Sequence, residues 1–163
     1  MCSSDLQATK GGTVAGNERA LETLRSMKIV VHASFMVRPE YTREQFQRLR
    51  DYVRAMPPSQ CSFTVCTPSP GTPDYVEMKP RIWVPNPFDL HDCMHPLTPT
   101  EIPLREFCKR FADQAAEGTV NTPLRINRHP LLPWDLLRIK KADLLYHRGF
   151  RKSYRDYPRE LWE

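Results

Sequence analysis

The sequence predicts an α/β fold, and three observations carry that expectation. Two short apolar runs, residues 28–37 and 61–66, are separated by a segment with helical amphipathic spacing. The second run delivers a loop, Thr67-Pro68-Ser69-Pro70-Gly71-Thr72-Pro73-Asp74-Tyr75, that holds three prolines and one glycine. The last 39 residues, 125–163, read as mostly helical and carry the whole net charge of the chain.

Taken in order, residues 17–27 read as a helix, with Leu21 and Leu24 three apart on one face and charged residues between them. Residues 28–37 are strongly β-branched and apolar with little alternation. That pattern predicts a parallel strand covered on both faces. Thr42-Arg43-Glu44-Gln45 is a capping box, in which threonine and glutamine each satisfy a free backbone N–H of the first turn. The helix it opens runs through Met56, with Phe46, Leu49, Val53 and Met56 at helical spacing, and Pro57-Pro58 stops it. The run Cys61 to Cys66 is the next strand. Helix, strand, helix, strand is the order of one right-handed α/β barrel repeat.

Beyond Tyr75, Pro80, Pro85, Pro87, Pro96 and Pro99 exclude a sustained helix until about Ile102. Ile82-Trp83-Val84 fits a short edge strand. Residues 102–117 form a helix with Leu104, Phe107, Cys108, Phe111 and Ala115 on one stripe, stopped by Gly118. The segment 130–157 is helical in one or two pieces, anchored by Leu136, Leu137, Leu144, Leu145 and Phe150.

Composition narrows the class. Sixteen prolines in 163 residues are about twice the ordinary share of roughly 5%, so long irregular connections are expected. Five cysteines, an odd number behind a start without a secretory apolar core, point to free thiols in a reducing cytoplasm. No apolar run approaches the roughly 20 residues needed to span a bilayer. Basic and acidic residues balance, 14 against 14, over 1–124, whereas 125–163 holds ten basic and five acidic residues.

The proline loop is the most informative segment. Proline fixes φ and removes a donor, and Gly71 admits a positive φ, so the second strand ends in a stiff loop at one edge of the sheet. Loops at the carboxyl ends of parallel strands are where α/β folds hold ligands. On composition alone, a proline-stiffened connector is the plainer account.

Read together with Val31-His32-Ala33-Ser34-Phe35-Met36-Val37-Arg38-Pro39-Glu40, this loop resembles the C-terminal half of a radical S-adenosylmethionine (SAM) enzyme. The similar subgroup carries an N-terminal cobalamin-binding domain and includes proteins associated with hopanoid biosynthesis. Lys10 to Leu21 resembles its loop and helix after the fourth barrel strand. Phe88-Asp89-Leu90-His91 and His95-Pro96-Leu97-Thr98-Pro99-Thr100 resemble its post-barrel segment, followed by a helix beginning Ile102-Pro103-Leu104. The resemblance runs from about residue 8 to about 117, in the family's order. It implies the C-terminal portion of a partial (β/α) barrel over 1–78, a proline-rich post-barrel segment with one helix over 79–124, and a basic helical extension over 125–163.

The family's three cluster cysteines, spaced C-x3-C-x2-C, are absent. Cys2, Cys61, Cys66, Cys93 and Cys108 do not fit that spacing; the closest pair has four residues between. By resemblance, that signature lies on the loop after the first barrel strand, upstream of everything here. The expectation is thus the second half of a larger enzyme, whose missing N-terminal half binds the 4Fe-4S cluster and, in this subgroup, cobalamin. Such an enzyme cleaves SAM to a 5′-deoxyadenosyl radical or transfers a methyl group through cobalamin, and acts on a small-molecule or lipid substrate.

The resemblance implies that Ser34, Met36 and Arg38 stand at the fifth-strand end and that Thr67, Pro68 and Pro70 stand at the sixth, against the adenine of SAM. An adenine face wants flat apolar surface and a few backbone partners, which a proline-stiffened loop supplies with little ordering entropy. As strand residues, Ser34 and Met36 alternatively fill the barrel core. Many radical SAM proteins have glycine where Arg38 stands. A guanidinium there either crowds the close approach or binds a substrate anion.

His91, Cys93 and His95 would face one side of a strand, but they lack a fourth ligand and match no standard zinc spacing; packed or exposed polar residues are the plainer account. Cys61 and Cys66 read as small apolar strand residues. The tail's cations are interleaved with Asp135, Asp143, Asp156 and Glu160, without a nucleic-acid-binding motif. Its Tyr146, Tyr154 and Tyr157 are expected to pack on the protein body, with the charged helix face closing the barrel. The alternative to an enzyme portion is a self-standing α/β module that binds a protein or nucleic acid.

Overall fold

The structure is a computed structural model that describes residues 13–29, 31–55, 60–120, 125–126, 129–130 and 132–162. Cys2, Lys10 to Gly12, Met56 and Pro57-Pro58 lie outside the described residues. Helix α1 (Val14–Ser26) starts earlier than its apolar spacing implies, because Thr13 caps it: the Thr13 hydroxyl accepts from the Gly16 N–H at 3.0 Å. Lys28, at φ 59, breaks the chain direction, so strand β1 (His32–Val37) is shorter than residues 28–37. Helix α2 (Arg43–Ala55) has the capping box expected of it. The Thr42 N–H donates to Gln45 Oε1 at 2.8 Å, and the Gln45 N–H returns to Thr42 Oγ1 at 3.3 Å. Strand β2 (Gln60–Val65) pairs parallel with β1, with Phe35 opposite Phe63 and Val37 opposite Val65.

Only one face of this two-stranded sheet is buried. Along β1, Phe35 and Val37 are buried, while His32, Ser34 and Met36 are exposed. Within the described residues β1 is thus covered on one face rather than both, and Ser34 and Met36 belong to neither core cluster. The short loop Thr67 to Thr72 ends sooner than Tyr75, because Thr72 caps helix α3 (Pro73–Met78) and Pro73 occupies its first turn. Gly71 takes the positive φ, 87°. Ile82-Trp83-Val84 is not a strand. The Trp83 backbone N–H donates to the Leu97 carbonyl at 3.1 Å and its indole N–H to the Pro96 carbonyl at 3.4 Å, and one backbone bond does not build a ladder.

Helix α4 (Leu104–Val120) runs straight through Gly118. Glycine weakens a helix by only about 1 kcal/mol, which tertiary packing overrides. The tail opens with a minimal antiparallel pair, β3 (Arg125–Ile126) and β4 (His129–Pro130), and continues in helix α5 (Pro133–Phe150). Two 3₁₀ turns, Ser153–Asp156 and Arg159–Leu161, follow.

The core has two parts that share α4. The first joins Phe35, Val37, Phe63 and Val65 of the sheet to Phe46, Leu49 and Val53 of α2 and to Phe107 and Phe111 of α4. The Phe35 and Phe63 rings stack at 5.3 Å, and Phe46 meets Phe107 edge-on at 5.3 Å. The second gathers Val84, Leu97, Leu104, Cys108, Tyr154 and Tyr157, so two of the three tail tyrosines pack on the body as expected, whereas Tyr146 stays 50% exposed. Leu137, Leu144 and Leu145 are not anchors: they stay 58–69% exposed. Phe150 alone among the described members of that set reaches the body, edge-on to Phe111 at 5.8 Å.

An ion-pair cluster ties α2 to α4. Glu106 accepts from Arg43 Nε at 2.8 Å and from Arg110 Nε at 2.7 Å. The hydrogen bonds from Arg43 and then Arg110 hold its carboxyl down to about 2 from the ordinary 4.5. A depressed carboxyl stabilises the fold fully above its unfolded value and stops doing so as pH falls through the folded one. Glu106→Gln is therefore expected to lower the urea midpoint at neutral pH. The gap from the parent chain should close as pH falls from 4.5 towards 2. A gap independent of pH over that window would show that the pairing is not the source.

Candidate functional site

The two parallel strands end together. Val37 faces Val65 in the register, and the Cys66 N–H donates to the Val37 carbonyl at 2.8 Å. The chain therefore leaves β1 at Arg38 and β2 at Thr67 from the same edge. Five of the six residues singled out in the sequence, Met36, Arg38, Thr67, Pro68 and Pro70, stand at or just past that edge. Ser34 lies two residues earlier on the same outward face as Met36.

The side chains there differ in what they offer. Met36 is 61% exposed, and Ser34 is exposed beside it. Pro68 is buried, whereas Pro70 is exposed and Thr67 half-buried. Arg38 is half-buried and makes an ion pair with Glu40 at 3.4 Å; Glu40 also pairs with Arg81 at 3.2 Å. A ligand anion reaching Arg38 would compete with that carboxylate.

A third segment completes the edge, and sequence reasoning did not find it. The Val65 N–H donates to the Cys93 carbonyl at 2.6 Å. Successive N–H groups of a strand point to opposite sides, so residues 91–95 lie along the margin of β2 that faces away from β1. They form a run of turns rather than a strand, with Cys93 at φ 60. His91, Cys93 and His95 are consequently not an alternating ligand row, and each has its own partner. His91 Nε2 lies 3.0 Å from the Pro68 carbonyl, which can only accept, so Nε2 carries the proton and ties the turn to the proline loop. The Thr67 hydroxyl sits 3.5 Å from Cys93 Sγ.

His95 is buried and bridges two carboxylates. Its Nδ1 lies 2.7 Å from Asp92 Oδ2, and its Nε2 lies 3.2 Å from Asp156 Oδ2. The other Asp92 oxygen, Oδ1, accepts the Met94 and His95 N–H groups at 2.8 and 3.0 Å, a local turn the sequence D-x-M-H permits. Asp156 is 61 residues distant, beyond any local signal. Tyr157 completes the lock by donating to the Pro96 carbonyl at 3.0 Å, and burial pushes its phenol well up.

Metal ligation finds no support among the described residues, which hold no group of three or more histidine, cysteine, aspartate or glutamate side chains placed around a common point. Cys61 packs against the first core, and burial pushes its thiol up to about 11, as a strand residue rather than a nucleophile. The same effect raises the Cys108 thiol to about 11. No described helix is long and apolar enough to cross a membrane.

No protein-family model matches the chain, and no solved structure does. A hopanoid C-3 methylase from Methylococcus capsulatus (strain ATCC 33009 / NCIMB 11132 / Bath) is 33% identical over 91 residues. The match takes in 56% of this chain and 17% of the methylase, so the chain spans about a sixth of that relative's length. The two proteins are distantly related.

His91→Leu removes the donor to Pro68. Residues 67–72 should then exchange their amides faster, with a loss of about 1 kcal/mol in urea unfolding. Asp156→Asn weakens the His95 bridge and should lower stability while leaving exchange at 67–72 unchanged. Equal exchange in the two variants would mean that His91 does not hold the loop.

Proposed function

We propose that this chain is the C-terminal part of a radical SAM enzyme of the cobalamin-dependent, methyl-transferring kind. In that reading the common edge of β1 and β2 forms the adenine-side wall of the SAM site. The observation that supports it most is the register of the strands, which brings Met36 and Arg38 beside Thr67, Pro68 and Pro70. The distant relationship to a hopanoid C-3 methylase points to the same chemistry and to a lipid among the candidate substrates.

The residues fit one of the three implied groups. Exposed Met36 and Pro70 offer flat apolar surface, and the loop's carbonyls and the Ser34 hydroxyl offer hydrogen-bond partners to an adenine. The 4Fe-4S cluster does not fit this segment, since its cysteines lack the family's spacing and those among the described residues are not gathered to hold one. Cluster and cobalamin would be bound by a portion outside this segment. SAM supplies the alkyl group or radical that does the chemistry. This chain's own residues would bind and orient it: Met36 and Pro70 against the base, Ser34 towards its polar edge, and Pro68, pinned by His91, keeping the loop from collapsing into the site. The exposed face of the sheet fits the same reading, because a barrel's inner face needs further strands to cover it.

A second reading, a self-standing binding module, is favoured by the well-filled core of sheet, α2 and α4. Cooperative unfolding of a monodisperse 19.1 kDa species would support it over an incomplete barrel.

The deciding experiment is an immunoblot of the native protein with an antibody to residues 125–163. The enzyme reading expects a species several times heavier than 19.1 kDa. In that species Met36→Lys should weaken SAM binding by about tenfold or more, the equivalent of roughly 1.4 kcal/mol. A native band at 19.1 kDa, or unchanged SAM affinity, overturns the reading. The 163-residue chain alone should hold no cluster after anaerobic reconstitution with iron and sulfide. A stable charge-transfer absorbance would contradict that expectation.

A further inference from the structure

Helix α5 presents an outward face that the rest of the described chain leaves uncovered. Trp134, Leu137, Leu144 and Leu145 lie on it at helical spacing and are 73%, 59%, 69% and 58% exposed. Arg138, Lys141 and Arg148 share that face, all exposed. None of these seven positions is acidic. The helix is attached to the body at its C-terminal end, where Phe150 packs on Phe111 and Tyr146 packs on Phe150 at 4.7 Å; on the side opposite the stripe Ile139 stays 47% exposed. Eighteen residues make a rod about 27 Å long, presented lengthwise.

We propose that this face of α5 lies on the surface of an anionic lipid bilayer. Large apolar side chains and cations alternate along one stripe instead of separating into a dry seam and a wet flank. Burial against an ordinary protein surface would strand three cations without water. At a bilayer surface both kinds are satisfied together. Trp134 and the leucines enter the boundary between headgroups and acyl chains, while the flexible arginine and lysine stems lift their charges to the headgroup phosphates. Charge complementarity selects an anionic surface, because 125–163 holds the whole net charge of +5. Nucleic acid would attract the cations but leave three leucines unused. The helix lies on the membrane and does not cross it, in line with its failure to meet the length and apolarity of a span. The inference uses no residue of the strand-end site and stands apart from the SAM reading.

The test is flotation of the full chain on a density gradient, which leaves aggregated protein at the bottom. Vesicles are of phosphatidylcholine alone or of phosphatidylcholine with phosphatidylserine. Flotation is expected with the anionic vesicles and not with the neutral ones, and should fall as salt is raised. Both Leu144→Ser/Leu145→Ser and Arg138→Glu/Lys141→Glu should weaken it by at least about tenfold while the far-ultraviolet dichroism is unchanged. The emission of Trp134, identified by loss of the signal in Trp134→Phe, should shift to the blue with anionic vesicles. Failure to float with either vesicle overturns the proposal, as does equal flotation with both. So does a leucine variant that floats as well as the parent chain, which would reduce the face to a charge patch of the kind that binds nucleic acid.

Discussion

Helix α4 is the member on which the structure depends, because it serves two cores at once. Phe107 and Phe111 look into the cluster formed by the sheet and α2, while Leu104 and Cys108, each three residues before one of them, look into the cluster formed by the 82–97 segment and the tail. Spacing of three and four puts all four side chains on one broad side of a helix, wide enough to face two neighbours. All four are at most 4% exposed. A sheet of two strands is too small to hold itself together, and the helix that covers it also anchors the 82–97 segment and the tail's two buried tyrosines. The continuation of α4 through Gly118 reflects the same balance, since burial along the earlier turns outweighs a local preference worth about 1 kcal/mol.

The strand-end geometry follows from that packing. With their inner faces held by Phe107 and Phe111, β1 and β2 are kept in register to their last residues, and two loops distant in sequence emerge side by side. Stiffness is built into one of them by Pro68, Pro70 and Gly71, and into its surroundings by the His91 bond to the Pro68 carbonyl. A binding wall of this kind gains from rigidity, because less ordering entropy remains to be lost when a ligand arrives. The outward face carrying Ser34 and Met36 is the part of the sheet that the chain leaves open.

The tail shows how one segment answers to two environments. Its final residues, Tyr154 and Tyr157, are buried with Trp83 and Trp162 packed about them, and Tyr157 and His95 bind the tail to the turns beside β2. The helix before them is bound to the body chiefly through Phe150 and its ion pair at Arg151 with Asp113, and it turns its leucines and Trp134 outward. Charge and apolar surface coexist there because neither is spent on the interior.

Much of the fold was legible in local pattern. The capping box at Thr42, the helical stripe of Phe46, Leu49 and Val53 and the positive φ at Gly71 are all decided by neighbours within a few residues. The residues of the strand-end edge were likewise identifiable as loops following strands. Several features were decided only by contacts across the chain. Which strand face was buried depended on where α4 lay, since an apolar run of ten residues reads the same with one face covered or two. The apparent anchors Leu137, Leu144 and Leu145 turned outward because Phe150 and the two tyrosines took the available core. The alternation of His91, Cys93 and His95 suggested a ligand row, yet backbone turns and a partner 61 residues away gave each a separate role. Sequence by itself determined the elements and their caps, because those forces act within one turn. The tertiary structure decided burial and partnership, because these depend on which distant surface arrives first to exclude water.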